Sequence, residues 1–352
     1  MNDQVKQVLG AFIIHQSSFI ISLICSAVWL ASAPLLAQVV RLPTVEPSTE
    51  SMPGQLVSHP DSSAQILQSP GETDVAPATP NPAEPQLPPG VRNGVFQRVL
   101  FDATWLAPGG ADGLGMNDEQ LQAIFAIPCP TRDSPLVITP GFAVHYLQGP
   151  QNVDLPSQLH EGYVQFRWLS QATPQLGFDL AITPGIYSDF NQESSDAFRL
   201  TAHGAIAWTW TETAKIVLGA AYLDRPDAGV IPIGGVMWTP NDDVKFDLVF
   251  PHPKISRRMH WGGEDGDKVQ DWAYVAGEFA GDAWAIRRSD GSDDQVVLSD
   301  YRFILGVERK VLGGLSSRVE VGYVFGRRIR YTSDTPEFHP TNTVMLRGGL
   351  TY

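Results

Sequence analysis

The residues able to carry chemistry are eight histidines and a scatter of arginines, lysines and carboxylates. His145 and His203 sit at alternating positions among small residues, where a histidine base could serve a lipid hydrolase. A base needs a nucleophile, and none is partnered in the sequence. There is no G-x-S-x-G elbow, no phosphate-binding P-loop and no H-E-x-x-H; His160-Glu161 lacks the second histidine. The glycines of Gly110-Ala-Asp-Gly-Leu-Gly115 have no strand–turn–helix around them and read as a loop. A lone histidine on a wall is ordinarily a hydrogen-bonded structural residue. No catalytic, cofactor-binding or metal-binding residue is therefore assigned, and no cofactor is expected.

The other charged groups fall on one face of alternating segments. Arg167, Arg199, Lys245, Arg302, Arg318 and Arg347 share that face with Asp179, His203, Asp247, Glu308 and Glu320. If the face is enclosed, its cation excess favours anions, because rings of Arg or Lys select for them in pores. The competing expectation is that these charges pair across neighbouring strands and plug a narrow interior. The acidic groups behind the formal charge of −14 gather elsewhere, in the proline-rich linker and in loops at Glu264, Asp265, Asp267, Asp290, Asp293 and Asp294. Those acidic loops read as solvated, with Ca²⁺ binding between lipid phosphates as the alternative. An acidic chain without a basic stripe argues against nucleic acid as a partner.

Strands must position these side chains. In Phe198 to Trp210, Phe198, Leu200, Ala202, Gly204, Ile206, Trp208 and Trp210 take one face, opposite Arg199, Thr201, His203, Ala205, Ala207 and Thr209. Only an extended strand turns a period of two into two faces. The same alternation sets Phe178, Leu180 and Ile182 against Asp179, and Val319, Val321, Tyr323 and Phe325 against Arg318 and Glu320. It recurs in Phe303, Leu305 and Val307 against Arg302 and Glu308. About a dozen such strands, spaced at roughly twenty residues, predict an all-β antiparallel transmembrane barrel. The polar face is rich in Gly, Ala and Thr, as a confined lumen needs. The apolar face carries Trp168, Trp208, Trp210, Tyr323 and Tyr352 near strand ends, as interfacial girdles do. An exported soluble β-sandwich is the alternative, since it too alternates. A weak echo, Ile138-Thr-Pro-Gly-Phe142 and Ile182-Thr-Pro-Gly-Ile186, places Pro140 and Pro184 at bulges or strand ends.

Ahead of the strands, residues 1–37 read as a signal peptide, with an apolar run from Phe19 to Leu36 and small residues at Ala31, Ser32, Ala33 and Ala37. Ile24 before Cys25 argues against lipidation, and Cys129 would remain as a single unpaired thiol. Residues 38–92 are proline-rich, with little apolar surface, and read as a disordered periplasmic linker. Residues 93–352 form the barrel domain.

The last strand, T-N-T-V-M-L-R-G-G-L-T-Y from Thr341 to Tyr352, resembles the C-terminal signal of bacterial outer-membrane barrels. That resemblance implies that the barrel-assembly machinery reads Leu350 and Tyr352, although Arg347 stands where glycine is usual. The chain from about Phe96 to Tyr352 also resembles the uncharacterised barrel family of domains of unknown function numbered 6268. The shared stretches are S-D-Y-R-F-I-L-G-V-E-R-K at Ser299 to Lys310 and R-V-E-V-G-Y-V-F-G-R at Arg318 to Arg327. The family implies a barrel without an assigned substrate. The expectation is a passive pore or structural barrel in the outer membrane, without catalysis, its partners being outer-membrane lipid and the assembly machinery. The alternatives are an envelope anchor whose proline-rich segment contacts the cell wall, and a barrel lipid hydrolase.

Overall fold

The alternation closes into a cylinder in the computed structural model, which describes residues 94–131, 134–150, 152–191, 195–262, 268–333 and 335–352. The expected signal peptide and proline-rich linker, with Cys25, and the acidic Glu264, Asp265 and Asp267 lie outside the described residues. The strands in order are β1 (Phe96–Leu106), β2 (Gly115–Thr131), β3 (Ser134–Gln148), β4 (Gln158–Thr173), β5 (Leu176–Ser188), β6 (Phe198–Thr211) and β7 (Ala214–Tyr222). There follow β8 (Val230–Asn241), β9 (Val244–Phe250), β10 (Lys254–Gly262), β11 (Val269–Arg287), β12 (Asp293–Val311), β13 (Ser316–Tyr331) and β14 (Thr343–Thr351). Each pairs antiparallel with the next, and β14 returns to β1 over Leu100↔Thr351 to Leu106↔Met345. A sheet closed on itself has no edge, so the two-sheet sandwich is not what this chain forms. Fourteen strands among the described residues correct the expected dozen. The spacing of about twenty residues fails in β7, β9 and β10, which are 9, 7 and 9 residues long and joined by tight turns, so more strands fit.

Burial follows the period of two. In β6, Arg199, His203, Ala205 and Ala207 are buried, whereas Leu200, Ile206, Trp208 and Trp210 are exposed. In β14, Thr343, Met345 and Arg347 are buried while Val344 is exposed. The outer wall thus presents Leu180, Ile182, Ile186, Phe303, Leu305, Val321, Tyr323 and Phe325 to the surroundings. So continuous an apolar surface exceeds what water-soluble monomers expose.

Pro140 and Pro184 lie inside β3 and β5, which corrects their expected place at bulges or ends. Register continues through them: Gln122↔Gly141 and Phe125↔Ile138 share one alignment across Pro140. Tyr163↔Gly185 and Phe166↔Ile182 do the same across Pro184. Each proline therefore costs a ladder bond toward one neighbour without shifting the strand. The glycines that follow them explain the echo. Gly141, Tyr163 and Gly185 are consecutive Cα partners across β3, β4 and β5. A Cβ on Gly141 would meet the Tyr163 ring at 2.4 Å, and one on Gly185 would meet Tyr163 Cβ at 2.8 Å. The ring lies where two neighbouring strands have no side chain. Tyr274 on β11 uses its partner Gly306 on β12 in the same way.

Because the strand number is even, the chain enters β1 and leaves β14 at one end, the near end. Near-end turns such as 174–175, 212–213 and 242–243 are tight, while far-end loops such as 189–197 and 332–342 are longer. At the far end the wall narrows. Pro253 O, in the turn after β9, accepts from Gly277 N at 2.9 Å, and β11 continues beyond that level to Arg287. There β5 meets β11 directly at Ser188↔Ala285. The Asp189 amide donates to Ala285 O (3.1 Å), and the Arg287 amide donates to Asp189 Oδ2 (3.0 Å).

Three far-end loops are tied together by Arg288. Its Nε donates to Asp154 Oδ2 (2.9 Å), its Nη1 donates to Asp294 Oδ2 (2.9 Å), and its guanidinium covers the Tyr331 ring at 4.2 Å. The Ser289 amide also donates to Asp154, at 3.0 Å. Partial burial pushes the Asp154 carboxyl up, but the Ser289 and Arg288 hydrogen bonds outweigh it and hold the group below its ordinary value. A depressed carboxyl contributes stability above its unfolded pKa and loses it as pH falls through the folded value. The protection of the Ser289 amide against hydrogen exchange is accordingly expected to hold from neutral pH down to about pH 4, near the unperturbed aspartate pKa, and to fall below it. Equal protection on both sides of that point would show that the clasp does not depend on the Asp154 charge.

Candidate functional site: the charged barrel interior

The inward faces bring together most of the charged groups that alternation singles out, together with carboxylates that it does not. Arg167 on β4 grips Asp179 on β5 through two bonds, Nε to Oδ1 at 2.8 Å and Nη2 to Oδ2 at 2.5 Å. His203 on β6 places Nε2 3.3 Å from the same carboxylate. Arg318 on β13 reaches across β14 to Asp102 on β1, Nη2 to Oδ1 at 2.6 Å.

Arg347 on β14 bridges two acids. Its Nη1 donates to Glu278 Oε2 (3.1 Å) and Glu320 Oε2 (2.9 Å), and its Nε donates to Thr104 Oγ1 (3.2 Å). Glu320 also accepts from the Tyr274 hydroxyl at 2.5 Å. Arg302 joins Glu278 (3.0 Å) to Asp300 (2.7 Å). Toward the far end Arg199 is ion-paired with Asp282, donates to Ala283 O (2.8 Å) and Leu223 O (2.6 Å), and lies over the Tyr187 ring at 4.6 Å.

His145 stands between two carboxylates, with Nδ1 2.8 Å from Asp118 Oδ1 and Nε2 3.0 Å from Glu161 Oε1. The Trp284 ring meets it edge-on, centroids 5.3 Å apart. Below it the Tyr163 hydroxyl accepts from Gln120 (2.9 Å) and Gln122 (2.5 Å). Glu161, Asp179 and Arg347 are 0 % exposed and Arg199 is 2 % exposed, so solvent does not reach these four side chains. Charges taken out of water persist only when paired and hydrogen-bonded, and that is how these are arranged.

The near end differs. Lys254 Nζ donates to Glu308 Oε2 (3.4 Å) and lies 3.8 Å from the Tyr274 ring centroid. Lys310 Nζ lies 3.8 Å from Glu308 Oε1. Lys245, Arg258 and Lys310 surround the Trp272 ring at 5.0, 5.2 and 5.6 Å. Asp247 is the Cα partner of Lys254. Lys245 and Asp247 are half-buried. The cation excess expected for the whole lumen is therefore concentrated here. Higher up, Asp102, Asp118, Glu161, Glu278, Asp282 and Asp300 balance it. Leu350 and Tyr352 lie on the seam: Leu350 pairs with Phe101 and Ser317, and the Tyr352 amide donates to Val99 O at 2.9 Å. Cys129 is an exposed free thiol. Among the described residues, no three or more His, Cys, Asp or Glu side chains are grouped to hold a metal ion.

The acids missed in the sequence lie mainly on β11 and on the flanks of better-marked strands. β11 does alternate inward, through Trp272, Tyr274, Glu278, Asp282 and Trp284. Its alternate positions set Val275 and Phe279 among Ala273, Gly277, Gly281 and the buried Ala283 and Ala285, so small residues break up the apolar stripe.

No protein-family model matches the chain, and no curated protein matches it. Solved structures do. LpxR from Salmonella typhimurium is 9 % identical, over 72 % of this chain and 99 % of that one, with a TM-score of 0.35. A bacterial polysaccharide outer membrane secretin is 10 % identical over 72 % and 97 %, at 0.35. OccAB3 from Acinetobacter baumannii is 8 % identical over 72 % and 98 %, at 0.28.

Proposed function

We propose that the chain is an outer-membrane β-barrel with a closed interior, a structural element of the envelope that neither conducts solutes nor catalyses a reaction. The observation that carries the reading is the burial of the paired inward charges, from Asp179 and Arg167 through Arg347 and Glu278 to Arg199. A water-filled passage would leave such groups hydrated. The apolar outer wall supports insertion in lipid, and tight near-end turns opposite longer far-end loops match barrels whose termini are periplasmic. Export by the segment 1–37, the linker role of 38–92 and reading of Leu350 and Tyr352 by the assembly machinery belong to the same proposal. So does membership of the family numbered 6268, on the stretches that form β12 and β13. The hydrolase alternative loses support at His145, whose two ring nitrogens both face carboxylates and leave neither to take a proton from a nucleophile.

In planar bilayers the purified chain is expected to give no step conductance above bare lipid. In membrane fractions it should run with the outer membrane and show a band that shifts only on boiling. Reproducible conductance steps from the heat-shifting species would overturn the closed interior.

A further inference from the structure

Five of the six inward cations singled out in the sequence are ion-paired with carboxylates, and Lys245 is the exception. Among the described residues no carboxylate comes within ion-pair distance of its ammonium, whose named contact is the face of Trp272 at 5.0 Å. From this geometry we infer that the near-end third of the lumen is a binding site for a small phosphate-bearing anion, held by Lys245, Lys254, Lys310 and Arg258.

The four cations belong to one run of neighbouring strands: β9 carries Lys245, β10 carries Lys254 and Arg258, and β12 carries Lys310, with β11 between the last two. They converge on two aromatic rings of β11, Trp272 and Tyr274, which are themselves buried. Among the described residues three acids are placed against them. Glu308 is shared by Lys254 at 3.4 Å and Lys310 at 3.8 Å, Asp247 lies beside Lys254, and Asp243 meets Arg258 at 3.3 Å from the exposed turn after β8. Arg98, preceding inward Leu100 and Asp102 on β1, adds to the positive field at Lys310.

Solvent reaches the three lysines, while Arg258 is buried beside them. The Lys254 and Lys310 side chains are 26 % and 23 % exposed, whereas Arg347 and Asp179 above them are 0 % exposed. The site is thus a vestibule open at the near end and floored by the packed ionic core. An ammonium held over an indole keeps its full charge, and a nearby anion supplies the charge compensation that the ring cannot. Ammonium groups with freely turning donors, plus one planar guanidinium, suit a tetrahedral oxyanion. The floor makes it a binding site rather than a stretch of a conduction path. The inference is thus separable from the closed-lumen reading, which conductance tests.

The full-length chain in detergent micelles, titrated with inorganic pyrophosphate in a calorimeter, tests the inference. Saturable uptake that weakens with salt is expected. Lys245→Gln should weaken it about tenfold or more, which is about 1.4 kcal/mol. Lys245→Arg, which keeps the charge, should stay within about threefold, and Arg330→Gln, on the outer face of β13, should change nothing. The heat-dependent gel shift identifies folded variants. If Lys245→Gln loses that shift, Lys310→Gln takes its place with the same expected weakening. No saturable uptake by the wild-type chain, or unaltered uptake by the folded glutamine variant, would overturn the site.

Discussion

Arg347→Met is expected to destabilise the barrel by about 3–5 kcal/mol, the cost of leaving buried charges without their partner. The guanidinium is wholly buried and bridges Glu278 of β11 to Glu320 of β13, while its Nε holds Thr104 of β1. Methionine replaces the stem and leaves two carboxylates facing each other. Glu278 would keep Arg302, and Glu320 would keep the Tyr274 hydroxyl, so the loss is partial for each acid and cumulative for the pair. The substitution also falls on the closing strand, where β14 meets β1, so unfolding should start at that seam. Arg347→Lys should cost less than methionine but still weaken the barrel, since one ammonium cannot reproduce a fork that reaches three side chains. Adding Glu278→Gln and Glu320→Gln to Arg347→Met should recover much of the loss, because a buried ionic cluster replaced as a whole is often neutral. The temperature at which the folded gel band converts to the unfolded one reads all four chains. A midpoint for Arg347→Met equal to that of the wild type would show that the cluster does not hold the barrel.

That cluster also marks the limit of what can be read from the chain alone. Arg318, Glu320 and Arg347 are legible as one-sided residues because large outward neighbours, Val321, Tyr323 and Leu346, frame them. Their partners are not legible. Arg318 and Asp102 are 216 residues apart, and Arg347 and Thr104 are 243 apart, so only the closed register makes them neighbours. Alternation tells inside from outside and says nothing of who stands opposite. Inward acids on strands with small outward residues, Glu278 and Asp282 above all, escaped notice and made the lumen look cationic throughout. The strand count failed for a related reason. Between β7 and β10 the strands are short, and Pro232, Gly234 and Gly235 break the apolar alternation of β8, so no even spacing applies there.

Gly141→Ala separates two explanations of the Ile-Thr-Pro-Gly echo, because they predict opposite signs. If the glycine is an ordinary strand residue, alanine should stabilise by roughly 0.5–1 kcal/mol through reduced backbone freedom. If it makes room for Tyr163, alanine should destabilise by about 1–3 kcal/mol, the usual cost of overpacking. The geometry favours the second. The new methyl carbon would lie 2.4 Å from Tyr163 Cζ and 2.6 Å from its hydroxyl. The ring cannot step aside freely, since Gln120 and Gln122 hold its oxygen. Gly162, beside Tyr163 on the same strand, has no atom within 4 Å of where a Cβ would stand. Gly162→Ala is therefore the control that strand preference alone should govern. A cycle with Tyr163→Ala sharpens the test, because residues in contact couple and independent ones add. Without the ring, Gly141→Ala should lose its cost and revert to the small gain that Gly162→Ala shows. Equal effects of Gly141→Ala in both backgrounds would mean that the echo has nothing to do with Tyr163. A loss confined to the background that keeps the ring would mean that the repeated tetrapeptide is a pair of sockets, cut on two strands for one side chain of the strand between them.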